Sequence, residues 1–353
     1  MNCSGGGTMS LAPEVWNPTW ENNLAAAQMA DEAGIDFLLP VARWTGYGGR
    51  CDAQGISFES LSWASAILAS TRNIRVFSTV HVPLIHPVFA AKQAVTADHV
   101  GRGRWGLNIV SGWNEAEFRM FGAPLLEHDE RYNYSEEWLT ILRRLWAADE
   151  PFDYHGKHFD LVGVFGRPKP FGDTQPMIMS AGSSGAGRAF AAKNVDCLFM
   201  IVVKLDTLAR EVSELRADAG RPVGVFSSGH IICRQTEREA DEFYHYLVHE
   251  KGDWAAAENA TVIRAQSHSM PNGVMRQLKE RVISGSGTYL IKGSPDQVAN
   301  QIKELSDAGV DGAAFAMPNY LTDLPLIRDE VLPRLERLGI RSPASYPAIL
   351  ERA

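Results

Sequence analysis

Cysteine is scarce and unpatterned in this chain: four residues, Cys3, Cys51, Cys197 and Cys233, among 353, with no CxxC pair. Such usage argues against a disulfide framework or a zinc ribbon, and it suits a reducing compartment, so a cytoplasmic protein is expected. No stretch approaches the roughly 18 apolar residues that a membrane-spanning helix needs. The opening MNCSGGGTMS has neither the basic start nor the apolar run of a signal peptide. Positive charge is in deficit, 34 Lys and Arg against 42 Asp and Glu for a net charge of −8, and no basic stripe forms. Nucleic acid and anionic membrane are therefore disfavoured as main partners. His245 and His249 stand at an i, i+4 spacing, but no Glu sits inside the motif and no third ligand is evident, so no metal is expected.

What the chain does have is alternation. The helical stretch TWENNLAAAQMADEAG, with Thr19 as its cap and Gly34 as its stop, leads into the short apolar strand IDFLLPVA. Helix ISFESLSWASAILAST, strand IRVFSTVHV, a helix opening at Pro87 and strand RWGLNIVSG follow, then the strongly periodic RYNYSEEWLTILRRLWAA. After a hairpin at FDYHGKHFDLVG the strand–helix order resumes to the end at LPLIRDEVLPRLERLG. Residues at about 250–290 break the pattern with SHSMPNG and SGSGTY and are expected to form an insertion between a late strand and its helix; long loops of that kind are usually functional or mobile. About seven strand–helix units without a sheet reversal predict a single α/β domain over 1–353, a (β/α)8 TIM-type barrel with insertions, whose active site lies at the C-terminal ends of the strands.

Several stretches at those ends carry polar groups that a core strand does not need. Asn108 lies within the strand of NIVSGWNEAEFRMFG, just before a Ser-Gly-Trp turn. Thr79 and His81 fall on one face of FSTVHV. SAGSSGAGRA places small residues and two hydroxyls between a strand and a helix start, either a tight turn or a phosphate cradle made of helix N-terminal N–H groups. Gly182-Ser183-Ser184-Gly185-Ala186 lacks the last Gly of a nucleophile elbow, and the stretch is neither a P-loop nor a dinucleotide fingerprint. Arg131 and Tyr132 in EHDERYNY form either a surface ion-pair cluster or part of an anion site. His230 in FSSGHIICR is either a satisfied core histidine or a group aimed at a substrate.

Taken together, GYGG, STVHVPLIHPVFAAKQAVTADHVGRGRWGLNIVSGWNEAEFRMFG, EHDERYNYSEEWLTILRRLW, GRPKPF, SAGSSGAGRAFAA and GSPDQVANQIKELSDAGVDG, in that order, resemble the bacterial luciferase-like superfamily of flavin-dependent monooxygenases. The likeness covers nearly the whole chain and is greatest to the branch with the alkanesulfonate, dimethyl-sulfone and pyrimidine enzymes. It implies reduced FMN and O2 as cofactor and co-substrate, a separate NAD(P)H:flavin reductase as partner, a homodimer or homotetramer, and a small organosulfur or heterocyclic substrate. By the same resemblance Ala42 and Arg43 border the flavin, Asn108 hydrogen-bonds its ring edge with Glu117 nearby, and Arg131, Tyr132, Gly182, Ser183 and Ser184 hold its phosphate. The Gly-Trp turn is expected to give that ring room. Thr79 with Asn108 forms the oxygen site, and His230 stands where the sulfonate enzymes carry a histidine, so Thr79, Asn108 and His230 are the expected catalytic residues. Ser228 replaces the basic residue of those enzymes, which makes a sulfonate substrate less favoured.

The resemblance also implies a non-prolyl cis peptide at Ser78–Thr79. One departure is large: Met1 falls inside a loop that in the family follows a first apolar strand. Either the start lies upstream or the barrel lacks that strand, leaving a gap between the IDFLLP and VDGAAFAMP strands. A deazaflavin-dependent oxidoreductase and a non-catalytic flavin-binding protein remain as alternative readings.

Overall fold

The computed structural model describes residues 6–182, 184–200, 202, 205–265 and 275–343. In chain order the first elements are α1 (Trp20–Glu32), β1 (Phe37–Leu38), α2 (Ser60–Ser70), β2 (Arg75–His81), α3 (Pro87–Gly101), β3 (Trp105–Val110), α4 (Glu115–Met120) and α5 (His128–Ala147). A hairpin of β4 (Phe152–His155) and β5 (Asp160–Val164) precedes β6 (Met177–Ala181), α6 (Gly185–Asn194), β7 (Cys197–Met200), α7 (Leu205–Ala219) and β8 (Gly224–Cys233). Then come α8 (Glu237–His245), α9 (Trp254–Ala265), α10 (Met275–Gly285), β9 (Tyr289–Gly293), α11 (Pro295–Asp307), β10 (Gly312–Ala316), α12 (Tyr320–Leu326) and α13 (Leu332–Arg337).

Local chemistry explains several boundaries. The Thr19 hydroxyl accepts the Asn22 N–H to cap α1, and Gly34 follows it at φ 72. Pro87 occupies the first turn of α3, where its missing N–H costs nothing. The Asp31 carboxylate accepts the N–H groups of Arg72, Asn73 and Ile74 and so holds the turn into β2.

The parallel sheet runs β1-β2-β3-β6-β7-β8-β10, with β9 also pairing to β8, and curls with its helices outside. Alternation along each strand splits the core. Outward residues pack under the helices, where Trp63, Trp105 and Trp138 are fully buried and donate their indole N–H groups to Asn23, Ser78 and the Ile85 carbonyl. Inward residues Phe37, Phe77, Met179, Cys197 and Phe226 fill the floor of the curl. A side chain at Gly106 or Gly312 would collide with the Phe77 or Phe226 ring, so both glycines serve this packing.

The α/β parallel architecture is as the sequence predicts, with the sheet open rather than closed. Its two ends are β1 and β10, and among the described residues no strand joins them. An apolar cavity of about 240 Å³ lies between these edges, lined by Phe37, Leu38, Leu39, Ala314 and Phe315 among others. The strand expected over IDFLLPVA is reduced to Phe37–Leu38, paired on one side only, to Arg75 and Val76. Without a second neighbour its backbone leaves the ladder early. The expected cis bond at Ser78–Thr79 is not found; the cis peptide among the described residues is Arg167–Pro168. Ser78 and Thr79 instead run straight through the ladder, opposite Leu107 and Asn108, which keeps the strand extended there.

Over 250–290 the chain carries α9, α10 and β9. Met9, Tyr47, Ile232, Leu247, Ala256 and Ile283 belong to a second apolar cluster beneath them. Asp253 ties this region to the GYGG loop, accepting the N–H groups of Arg50 (2.5 Å), Cys51 (2.8 Å) and Ala256 (3.1 Å).

Candidate active site

β2 and β3 bring Thr79 and Asn108 into register as cross-strand partners at the mouth of the curl. The Thr79 hydroxyl donates to the Pro40 carbonyl at 2.5 Å. Its oxygen must then act as acceptor toward its other neighbour, the Asn108 Nδ2 at 3.0 Å. This settles the orientation of the amide: Oδ1 is the free end, buried and without a hydrogen-bond partner. A buried carbonyl oxygen without a donor is costly, so this end of the amide is open to a donor from outside the chain.

α4 and the loop after β1 form the adjoining wall. Glu117 is 1% exposed. Its Oε1 accepts the N–H groups of Trp44 (3.0 Å) and Thr45 (3.4 Å) and lies 3.4 Å from Arg43 Nε. The Arg43 guanidinium lies over the Tyr47 ring at 4.7 Å and over the Trp113 ring at 5.1 Å. Ala42 lines a small cavity beside Arg43, Thr79 and His81. The space at Gly112, whose φ is 88, is taken by the Phe118 ring and so is not room for a ligand. Sequence reasoning missed this, along with the aromatic contacts of Arg43, because both depend on how the loop after β1 and the segment leading into α4 fold.

The third wall is the start of α6. Ser184 caps that helix, accepting the Gly187 N–H at 3.1 Å, and its oxygen is 3.4 Å from the Tyr132 hydroxyl. A Cβ at Gly187 would strike that hydroxyl, and Gly182 packs against Gly187 backbone, so the small residues admit Tyr132 to the helix end. Arg131 donates through Nη1 to the Gly112 carbonyl at 2.5 Å, while its buried Nε has no partner. Ser183 lies outside the described residues. First-turn N–H groups, two hydroxyls and a guanidinium with an unused donor form a donor set suited to a phosphate. The Ser111 hydroxyl meets Ser135 on α5 at 2.9 Å, which links the end of β3 to the helix bearing Arg131 and Tyr132.

His230 stands apart from these groups. It is wholly buried on β8, its Nε2 3.3 Å from the Thr8 hydroxyl, which itself donates to the Ser284 carbonyl. Nδ1 has no partner. Burial pushes its pKa down to about 3, so the ring is uncharged. The three described thiols are held protonated: burial raises Cys51 to about 12 and Cys197 and Cys233 to about 11.

The FMNH2-dependent dimethylsulfone monooxygenase of Pseudomonas fluorescens (strain Pf0-1) is 30% identical over 357 residues, covering 98% of this chain and 96% of that protein. The pyrimidine monooxygenase RutA of Bradyrhizobium sp. (strain BTAi1 / ATCC BAA-1182) is 28% identical over 305 residues, 84% of this chain and 79% of that protein. Among solved structures, riboflavin lyase (RcaE) with modified FMN and riboflavin superposes with a TM-score of 0.86 at 22% identity, over 98% of this chain and 92% of that one. Residues 2–312 match the family described as luciferase-like monooxygenase, and with that span and the near full-length relative, this chain belongs to the luciferase-like monooxygenase family.

Proposed function

We propose that this chain is the oxygenating component of a two-component monooxygenase, taking reduced FMN from a separate NAD(P)H:flavin reductase and using O2 to oxygenate a small organosulfur or heterocyclic compound. The observation that carries the reading is the free Asn108 Oδ1, fixed by Thr79 and lacking a donor at the strand mouth. Asn108 would accept from a flavin ring N–H, and Arg131, Tyr132 and Ser184 would hold the phosphate at the α6 N-terminus. Arg43, Ala42 and Glu117 would border the ring. Reduced FMN, when bound there, supplies the electrons that activate dioxygen. The chain itself orients the ring through Asn108, anchors its phosphate, and keeps water from the reacting atoms with Trp113, Tyr47 and the 42–45 loop.

The dependence of the dimethylsulfone relative on FMNH2 supports this over a deazaflavin reading. Fold, insertion and site are taken as one domain, assembled as a homodimer or homotetramer. Among the described residues no helix is long and apolar enough to cross a membrane. The test is an anaerobic titration of the purified chain with reduced FMN and reduced deazaflavin, followed by reductase-coupled turnover of dimethyl sulfone and of uracil. Tighter binding of deazaflavin than of FMN would reverse the assignment.

A further inference from the structure

One buried polar group at the mouth has no task in the scheme above. His81 follows Thr79 by two positions on the same face of β2, so both side chains point into the mouth. The residue is 6% exposed. Its nearest ionic neighbour is Glu117, with Nε2 3.8 Å from Oε2, too long for a hydrogen bond. Among the described residues nothing hydrogen-bonds the ring. Yet the imidazole is not sealed in apolar packing: it lines, with Thr79, Ala42, Arg43, Leu84 and Ile85, a cavity of about 50 Å³. That volume suits a dioxygen molecule or a few waters.

The charged groups around the ring come from three elements. Glu117 on α4 and Arg43 after β1 neutralise one another. Glu59, across the cavity, is taken up by the N–H groups of Leu61 and Ser62 at the start of α2. Burial, ahead of the opposing pull of Glu117, holds His81 below its ordinary pKa, so the ring near neutral pH is an uncharged donor and acceptor.

We propose that His81 is a further catalytic residue, its imidazole hydrogen-bonding the oxygen held in the small cavity beside Thr79, with Glu117 as its positioning residue. This rests on the mouth being the reduced-flavin site. Neither a buried ring without a hydrogen-bond partner nor a small, mostly apolar cavity beside Thr79 is needed for folding, and together they match a guest as small and weakly polar as dioxygen.

The test uses the full chain with 15N-labelled histidine. The His81 ring signals, identified by their loss in His81→Ala, are followed in the apoprotein and after anaerobic addition of reduced FMN. Reoxidation of the bound flavin by aerated buffer is then timed by stopped flow. The ring signals should shift on flavin binding, and Glu117→Gln should move the His81 titration to lower pH in the apoprotein. In His81→Ala, reoxidation should change by about fivefold or more with reduced-FMN affinity kept within about twofold, the scale of one hydrogen bond. His81→Gln, which keeps a polar N–H, should recover part of the rate and guards against a folding defect in the alanine variant. Unchanged reoxidation in variants that bind reduced FMN normally overturns the role of His81. Loss of flavin affinity equal to the loss of rate also overturns it, by making His81 a flavin ligand. A wild-type chain that fails to bind reduced FMN overturns the flavin reading itself.

Discussion

Replacing Thr79 with valine removes one hydroxyl and almost no volume, and the structure says what that hydroxyl holds. It donates to the buried Pro40 carbonyl at 2.5 Å and accepts the Asn108 amide at 3.0 Å. Valine leaves both partners buried and unpaired, at about 1–3 kcal/mol each, offset by less than about 1 kcal/mol from the added methyl. A net loss of about 1–5 kcal/mol of stability is expected, measured by urea unfolding of the apoprotein. The amide is also released to rotate, so Oδ1 no longer points reliably into the site. Reduced-FMN affinity should fall by about tenfold, the equivalent of about 1.4 kcal/mol. Thr79→Ser keeps both hydrogen bonds and should lose only about 1 kcal/mol of packing, with affinity unchanged. If the valine chain is as stable as the wild type and binds reduced FMN equally well, the hydroxyl does not orient Asn108 and the basis for that residue as flavin reader is gone.

Arg131→Ala should weaken reduced-FMN binding by about 1.5–3 kcal/mol, the range of a charged hydrogen bond, while far-UV circular dichroism stays unchanged; equal affinity in a fluorescence titration would remove Arg131 from the phosphate site. His230 titrates near 3 in the folded chain and near its ordinary 6.5 when unfolded, so between those values the unfolded state takes the extra proton. Its contribution is intact well above 6.5 and is lost on acidification at up to about 1.4 kcal/mol per pH unit; His230→Gln should flatten the pH 7 to 5 stability slope by about 1 kcal/mol per pH unit, and identical slopes would contradict the assignment. Fusing about ten residues with an apolar strand ahead of Met1 should fill the slot between β1 and β10, burying several side chains at about 1.5–3 kcal/mol each against ordering entropy and raising the melting temperature by about 3–5 °C. Equal melting temperatures would show that those edges take up no strand.

Periodicity and capping residues made the helices legible, and alternation along FSTVHV and GLNIV placed Thr79, His81 and Asn108 on inward faces. The position of the open edge was legible too, since it depends only on strand order. Long-range contacts were not. Thr8 and His230 are 222 positions apart, and nothing local to either tells that they touch. The staple from Asp253 to the backbone of Arg50 and Cys51 spans about as far, which is why the 250–290 region read as irregular sequence although it carries two helices and a strand. Gly112 was misread for a related reason: a glycine announces free space, and only the fold shows that Phe118 occupies it.

The electrostatics of the mouth bear on what it can receive. Arg43 is buried against Glu117 and two aromatic rings, and drawing it toward an anionic substrate would leave that carboxylate buried without its counter-charge. Arg281 donates to the carbonyls of Thr288 and Val202, which binds it to the chain rather than to a guest. Arg131 donates to the Gly112 carbonyl, and in the proposed flavin site the phosphate would claim its remaining donor. His81 and His230 are both held uncharged by burial. None of these five groups is therefore left free to meet a sulfonate, whose full charge would cost several kcal/mol to bury unpaired. A sulfone or a pyrimidine carbonyl needs only neutral hydrogen-bond partners, and those are what the site retains.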